Sequence, residues 1–360
     1  MKCGIVGLPN VGKSTLFNCL SSAKAMAANY PFATIEPNVG VVPVPDKRLD
    51  TLTKLIKPKN TQPAIVEIVD IAGLVKGASK GEGLGNKFLA NIRETNAIIH
   101  VLRCFEDTNV THVAGEVDPI NDKETVEIEL QLKDLEILEK KRENLKRRAG
   151  AGDKVALREV DIIDQYHHHL SSGKSARTLN VVNDECILEL NLLTKKPVLY
   201  VCNVDEDSIE GNEYTKKVKQ SILNEAAEML IISAAIEADI NELDILDDRL
   251  DFLKTLGLQE PGVNKIIRSA YSLLGLQTFF TAGEKEVRAW TIKKGTLAPQ
   301  AAGVIHTDFE KGFIRAEVIS YENRIKFQTE QACREAGKIS IEGKNYEVLD
   351  GDVIHFRFNV

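Results

Sequence analysis

The chain has 360 residues, 43% of them apolar and 28% charged, with a formal net charge of −7. This is an ordinary globular composition, long enough for two or three domains, each with its own core. The acidic balance excludes a surface coated in basic charge, so any RNA contact has to come from a local patch, and DNA is not an expected partner.

Lys2 passes straight into the strand-like "CGIVGL" without a charged leader or cleavage site, and no window approaches the ~18 apolar residues of a spanning helix. A cytoplasmic location with no membrane partner is expected. The six cysteines form no C-x-x-C pair, and Cys3, Cys104 and Cys202 lie in apolar runs, the pattern of reduced core thiols.

From Lys2 to about Asn109, short apolar runs ("CGIVGL", "AIVEIVDIAGL", "NAIIHVLRCF") alternate with helical stretches, the signature of an α/β fold with a mainly parallel sheet. The first run leads into "GLPNVGKS", Gly7 to Ser14, which fits G-x-x-x-x-G-K-[ST] and is followed by the helix-like "TLFNCLSSA". Such a P-loop wraps phosphates in backbone amides, here those around Asn10, Val11, Gly12 and Thr15, and the helix N-terminus adds positive potential. Lys13 is expected to neutralise the β and γ oxygens, and Ser14 to offer a hydroxyl to Mg²⁺.

Thr34, in "NYPFATIEPNVG", is the candidate hydroxyl that covers the metal while a γ-phosphate is present. "VEIVDIAGLV" ends a strand on Asp-x-x-Gly, so Asp70 is expected to hold Mg²⁺ through a water and the Gly73 amide to meet the γ-phosphate. Leu74 stands where many GTPases carry a Gln that orients the attacking water, and leucine cannot hydrogen-bond water. Either hydrolysis is slow, or backbone, a cation or another side chain holds the water. His112 is the side-chain candidate, placed after "IIHVLRCF" on the C-terminal edge of the sheet.

Residues 130–195 interrupt this pattern with a stretch rich in Glu, Lys, Leu and Arg, whose apolar spacing predicts an antiparallel helical arm. "LKRRAGAGDK" is the expected turn, "HHHLSSGKSARTLN" a second break and "DECILELNLL" the returning helix. Within "KKRENLKRR", the residues Lys140, Lys141, Arg142, Lys146, Arg147 and Arg148 are candidates for an RNA phosphate backbone, with a solvated helix face as the equal alternative. His167, His168 and His169 are consecutive, so on a helix they point apart and cannot share one metal.

The α/β pattern resumes with "KPVLYVCN" and "MLIISAA", which gives a nucleotide-binding domain over 1–129 and 196–275. The first of these strands ends on Asn203-Val204-Asp205-Glu206, where GTPases carry Asn-Lys-x-Asp. Guanine offers two donors to a carboxylate, whereas adenine presents an acceptor beside a donor on the same edge. Glu206 reaches one methylene further than Asp, Val204 leaves an apolar surface for stacking, and Asn203 can accept from adenine or buttress the P-loop. Ser233, Ala234 and Ala235 form the other wall. From residue 276 the texture turns β-rich, with Trp290, Phe279, Phe280, Phe309 and Phe313 expected in its core.

The motifs "GLPNVGKSTLFN", "NYPFATIEPNVGVVPVPDKRLD", "DIAGLVKGASKGEGLGNKFLANIRE", "NVDE" and "SAAIEADI" resemble, in this order, the YchF group, the Obg-like ATPases, over nearly the whole chain. The resemblance implies a P-loop domain with an inserted helical arm and a C-terminal β-rich TGS domain over 276–360. It implies ATP bound and hydrolysed in preference to GTP, and a hydrophobic residue in place of the catalytic Gln, in agreement with Leu74. It also implies K⁺-assisted hydrolysis through Asn10 and the ribosome as partner. A conventional GTPase and an RNA-binding scaffold with a structural nucleotide are the rival readings.

Overall fold

A computed structural model describes residues 1–22, 38–71, 84–107, 115–225 and 227–359. The chain divides into two compact units, one of residues 1–41 and 67–270 and the other of residues 42–66 and 271–360.

The first unit opens with β1 (Lys2–Val6) and α1 (Lys13–Ser22). The elements that follow in the chain are β2 (Val39–Pro43), α2 (Lys47–Ile56), β3 (Asn60–Gln62), β4 (Ile65–Asp70), α3 (Leu84–Arg93) and β5 (Ala97–Arg103). Two long helices come next, α4 (Pro119–Gly150) and α5 (Lys154–Ser171), and then the short α6 (Glu185–Leu188). The unit is completed by β6 (Val198–Asn203), α7 (Glu213–Ser221), β7 (Glu228–Ile232), α8 (Ala234–Glu242), α9 (Leu246–Thr255) and the start of α10 (Gly262–Leu273).

The sheet order is β2-β4-β1-β5-β6-β7, with β4-β1-β5-β6-β7 all parallel. Strands β5 and β6 are buried along their whole length, which is why they read as unbroken apolar runs. All six cysteines are free and buried. No helix among the described residues is long and apolar enough to cross a membrane.

His100 sits inside β5 with its ring centroid 5.7 Å from that of Tyr200, among the charges of Glu127, Arg177, Lys123 and Glu225. Burial lowers its pKa to about 4 from the ordinary 6.5. The unfolded chain therefore takes up this proton below pH 6.5 while the folded chain does not until about pH 4. The resulting stability is intact above pH 6.5 and falls by about 3 kcal/mol on acidification to pH 4. Urea unfolding between pH 7 and 4 should show this loss, and His100→Gln should remove that part of the pH dependence.

The arm forms an antiparallel hairpin, but its first helix starts well before the expected residue 130. Asp118 caps it, its carboxylate accepting from the amides of Ile120 and Asn121 at 3.1 and 3.2 Å, and Pro119 takes the first helical position. Ala151 to Asp153 make the turn, as the glycine-containing stretch suggested. The returning helix is only α6, bracketed by Asn183 and Asn191 in the left-handed region (φ 61° and 48°), which no helix continues through.

The second unit contains α2 and β3 together with β8 (Leu276–Ala282), β9 (Glu286–Lys293), α11 (Ala298–Ile305) and α12 (Thr307–Lys311). It ends with β10 (Phe313–Ile319), α13 (Tyr321–Phe327), α14 (Glu330–Glu335), β11 (Ser340–Glu342) and β12 (Val353–Phe358). Its mixed sheet runs β11-β10-β12-β8-β9-β3. Phe279, Phe313 and Phe356 are buried in its core, with Trp290 and Phe309 packed against them.

Residues 42–66 differ from the sequence reading, which placed them in the nucleotide domain. They belong with the C-terminal block because β3 pairs in parallel with β9 (Asn60↔Glu286) and Arg48 of α2 bridges to Asp350 at 2.7 Å.

Candidate functional site

Gly7 to Gly12 join β1 to α1, as the P-loop pattern requires. The Leu16 amide donates to the Gly12 carbonyl at 3.0 Å, so the first-turn amides of Lys13, Ser14 and Thr15 precede the intrahelical ladder, the position at which a helix N-terminus meets an anion. Asn10 (φ 65°) and Gly12 (φ 88°) both lie in the left-handed region, which folds the loop back on itself. At Gly12 a Cβ would stand 2.2 Å from Asn203 Nδ2, so only glycine fits.

Asn203, at the end of β6, is 5% exposed and spends both ends of its amide on the scaffold. Its Nδ2 donates to the Val11 carbonyl at 2.9 Å, and its Oδ1 accepts from the Ala234 amide at 2.9 Å. One side chain thus ties the P-loop to the start of α8. This geometry supports the buttressing role, with one N–H and one lone pair of the amide used on the scaffold.

Lys13 is nearly buried at the start of α1 and its ammonium ion-pairs with the Asp70 carboxylate. The pairing follows from strand register: Ile5 of β1 lies opposite Asp70, the last residue of β4, so the carboxylate ends beside the strand that feeds the loop. Ser14 and Thr15 are exposed on the first turn of α1. A serine hydroxyl and one carboxylate are hard oxygen donors of the kind Mg²⁺ accepts when phosphates and waters complete its octahedron. Thr34, Gly73, Leu74 and His112 lie outside the described residues.

On the base side, Val204 is 3% exposed, and its amide donates to the Ile232 carbonyl at 2.9 Å. It is packed into the scaffold and has no free face for stacking, contrary to the sequence expectation. Ser233 caps α8 and, with Ala234, is buried, while Ala235 is exposed. Glu206 is exposed at the start of a short 3₁₀ turn, Glu206–Ser208. Of the acidic and amide groups in "NVDE" read as base contacts, Glu206 is thus exposed, while Asn203 is buried and bonded to the scaffold.

The basic run on α4 divides. Arg142 bridges to Asp164 and Arg148 to Asp153, each at 2.7 Å, while Lys140, Lys146 and Arg147 are exposed and Lys141 is half-buried. His167 lies 3.2 Å from Glu139 and His169 2.8 Å from Thr178 Oγ1, so these neighbouring rings serve different partners.

A parallel sheet that delivers a glycine-rich loop to a helix N-terminus, with a lysine and a strand-end aspartate converging beside it, defines a P-loop nucleoside triphosphatase. A family profile described as "50S ribosome-binding GTPase" matches residues 2–144. A YchF C-terminal profile, described as a protein of unknown function, matches residues 276–359. The chain is 56% identical over 361 residues to a Haemophilus ducreyi protein named "Ribosome-binding ATPase YchF", covering 100% of this chain and 99% of that one. It is 52% identical to the Bacillus subtilis protein of the same name, with both chains fully covered. The solved structure of the Schizosaccharomyces pombe YchF GTPase superposes with a TM-score of 0.90 at 41% identity, covering 99% of this chain and 97% of that one. The chain belongs to the YchF family.

Proposed function

We propose that this protein is a ribosome-associated molecular switch that binds and hydrolyses ATP in preference to GTP. The observation that carries the reading is the P-loop locked through Asn203, with Lys13 and Asp70 converging beside it, in a chain 52–56% identical to relatives named ribosome-binding ATPase. The P-loop amides and Lys13 clamp the phosphates. Ser14, Thr34 and, through a water, Asp70 would hold Mg²⁺, which when bound would neutralise charge developing on the phosphate oxygens. Asn10, on the loop at φ 65°, is the residue we assign to K⁺. A cytoplasmic location follows from the ribosomal partner.

We assign base choice to Glu206, the exposed carboxylate of the motif, with Asn203 bonded to the scaffold and Val204 packed away as support for that reading. A carboxylate one methylene longer than Asp need not meet the guanine edge. A charge-assisted hydrogen bond is worth roughly 1.5–3 kcal/mol, so Glu206→Asp should move the ATP/GTP affinity ratio toward GTP by about tenfold or more. Competition titration with a fluorescent nucleotide measures it. An unchanged ratio would remove Glu206 from base selection.

A conventional GTPase is the competing reading, favoured by the name of the fission-yeast relative, a YchF GTPase.

A further inference from the structure

The arm has a core of its own, in which Leu138, Leu145, Ile163, Tyr166 and Ile187 are fully or almost fully buried. Among the aliphatic residues left outside that core, Val155 is 59% exposed, Leu157 50% and Val182 83%. These three do not lie scattered. Together with the half-buried Ile162 and Val181 they line one groove of about 800 Å³ between α5 and the 181–189 segment, with Cys186 also on its wall. Isolated exposed aliphatics are ordinary on a protein surface, whereas several gathered into a concavity mark a place where another molecule is buried.

The charges on this groove choose the partner. Glu159, Asp161, Glu185 and Glu189 line it, against the single guanidinium of Arg158. Among the described residues none of the four carboxylates is ion-paired. By contrast, Glu139 and Asp164 on the arm, and Asp153 at its turn, lie within ion-pair distance of His167, Arg142 and Arg148 respectively. A phosphate backbone would meet four like charges here. A polypeptide with aliphatic side chains flanked by Lys and Arg would bury the former and pair with the latter.

We propose that this groove is a docking site for a basic, aliphatic-bearing segment of a ribosomal protein, so that the arm meets the ribosome through protein at this face. The proposal rests on the ribosome-associated reading given above.

The test uses the full chain and purified 70S ribosomes. A photo-crosslinking benzoylphenylalanine placed at Val182 should couple to a ribosomal protein on irradiation. Leu157→Ser with Val182→Ser, and separately Glu185→Lys with Glu189→Lys, should each weaken co-sedimentation by about tenfold, the size of effect expected for an interface anchor and its complementary charges. All four substituted side chains line the groove rather than the core, and unchanged melting temperatures verify the fold. Crosslinking to ribosomal RNA, or undiminished co-sedimentation of both variants, overturns the groove proposal while leaving the ribosomal partner standing. Failure of the unsubstituted chain to co-sediment contradicts the ribosome reading and removes the proposal with it.

Discussion

Lys13→Ala is expected to lower ATP turnover at saturating nucleotide by about two to three orders of magnitude, the usual cost of removing one preorganised charge from a transition state. The physical ground is the position of the side chain. Lys13 begins α1, is 9% exposed and touches Asp70, so its ammonium is fixed before any nucleotide arrives. Without it, the Asp70 carboxylate loses its ion-pair partner beside the phosphates, which adds repulsion to the lost attraction. Lys13→Arg should restore little, because a planar fork does not replace a compact ammonium in a nearly buried position. Phosphate release by the variants, set against their melting temperatures, separates a lost charge from a lost fold. A Lys13→Ala chain that turns over normally would sink the P-loop assignment.

Gly12→Ala should be nearly as damaging, for a different reason. The new methyl would overlap Asn203 Nδ2 and would be held at φ 88°, where an L side chain is strained by about 1–2 kcal/mol. To relieve the overlap, Asn203 must release the Val11 carbonyl, the Ala234 amide or both, each a buried group that costs about 1–3 kcal/mol when left unpaired. With one of the two released the total, about 2–5 kcal/mol, is shared between fold stability and nucleotide affinity. A double-mutant cycle isolates the mechanism. In an Asn203→Ala background the overlap is gone, so Gly12→Ala should cost at least about 1 kcal/mol less in urea unfolding. Equal costs in both backgrounds would show that the loop is not braced through Asn203.

The parts of this site that could be read in the sequence are those built by local pattern. The strand-loop-helix at Gly7–Ser14 is visible because its residue types are demanded within eight positions. Buried parallel strands announce themselves as apolar runs, as β5 and β6 do. What escaped reading depends on hydrogen bonds between residues far apart in the chain. Nothing near Asn60–Gln62 says that these residues pair with Glu286–Arg288, so 42–66 looked like part of the nucleotide domain. Asn203 had two chemically possible partners, and only the fold decides that its amide faces Val11 and Ala234. Val204 looked like a stacking surface because its residue type is apolar, yet at 3% exposure it is core.

One miss carried its own signal. Asp118 followed by Pro119 is a helix start by cap and by φ, and would have placed the beginning of the arm before residue 130. The exposed aliphatics of the arm carried none, since α5 places Val155 and Leu157 on the same amphipathic helix as the buried Ile163 and Tyr166.

A switch that runs on ATP is tested most directly by equilibrium titration of the full chain with ATP and GTP in Mg²⁺ and K⁺, followed by phosphate release with each. Tighter binding of ATP and faster release of phosphate from it are the expected results. A clear preference for GTP in both would contradict the reading of Glu206 and return the protein to the conventional GTPases.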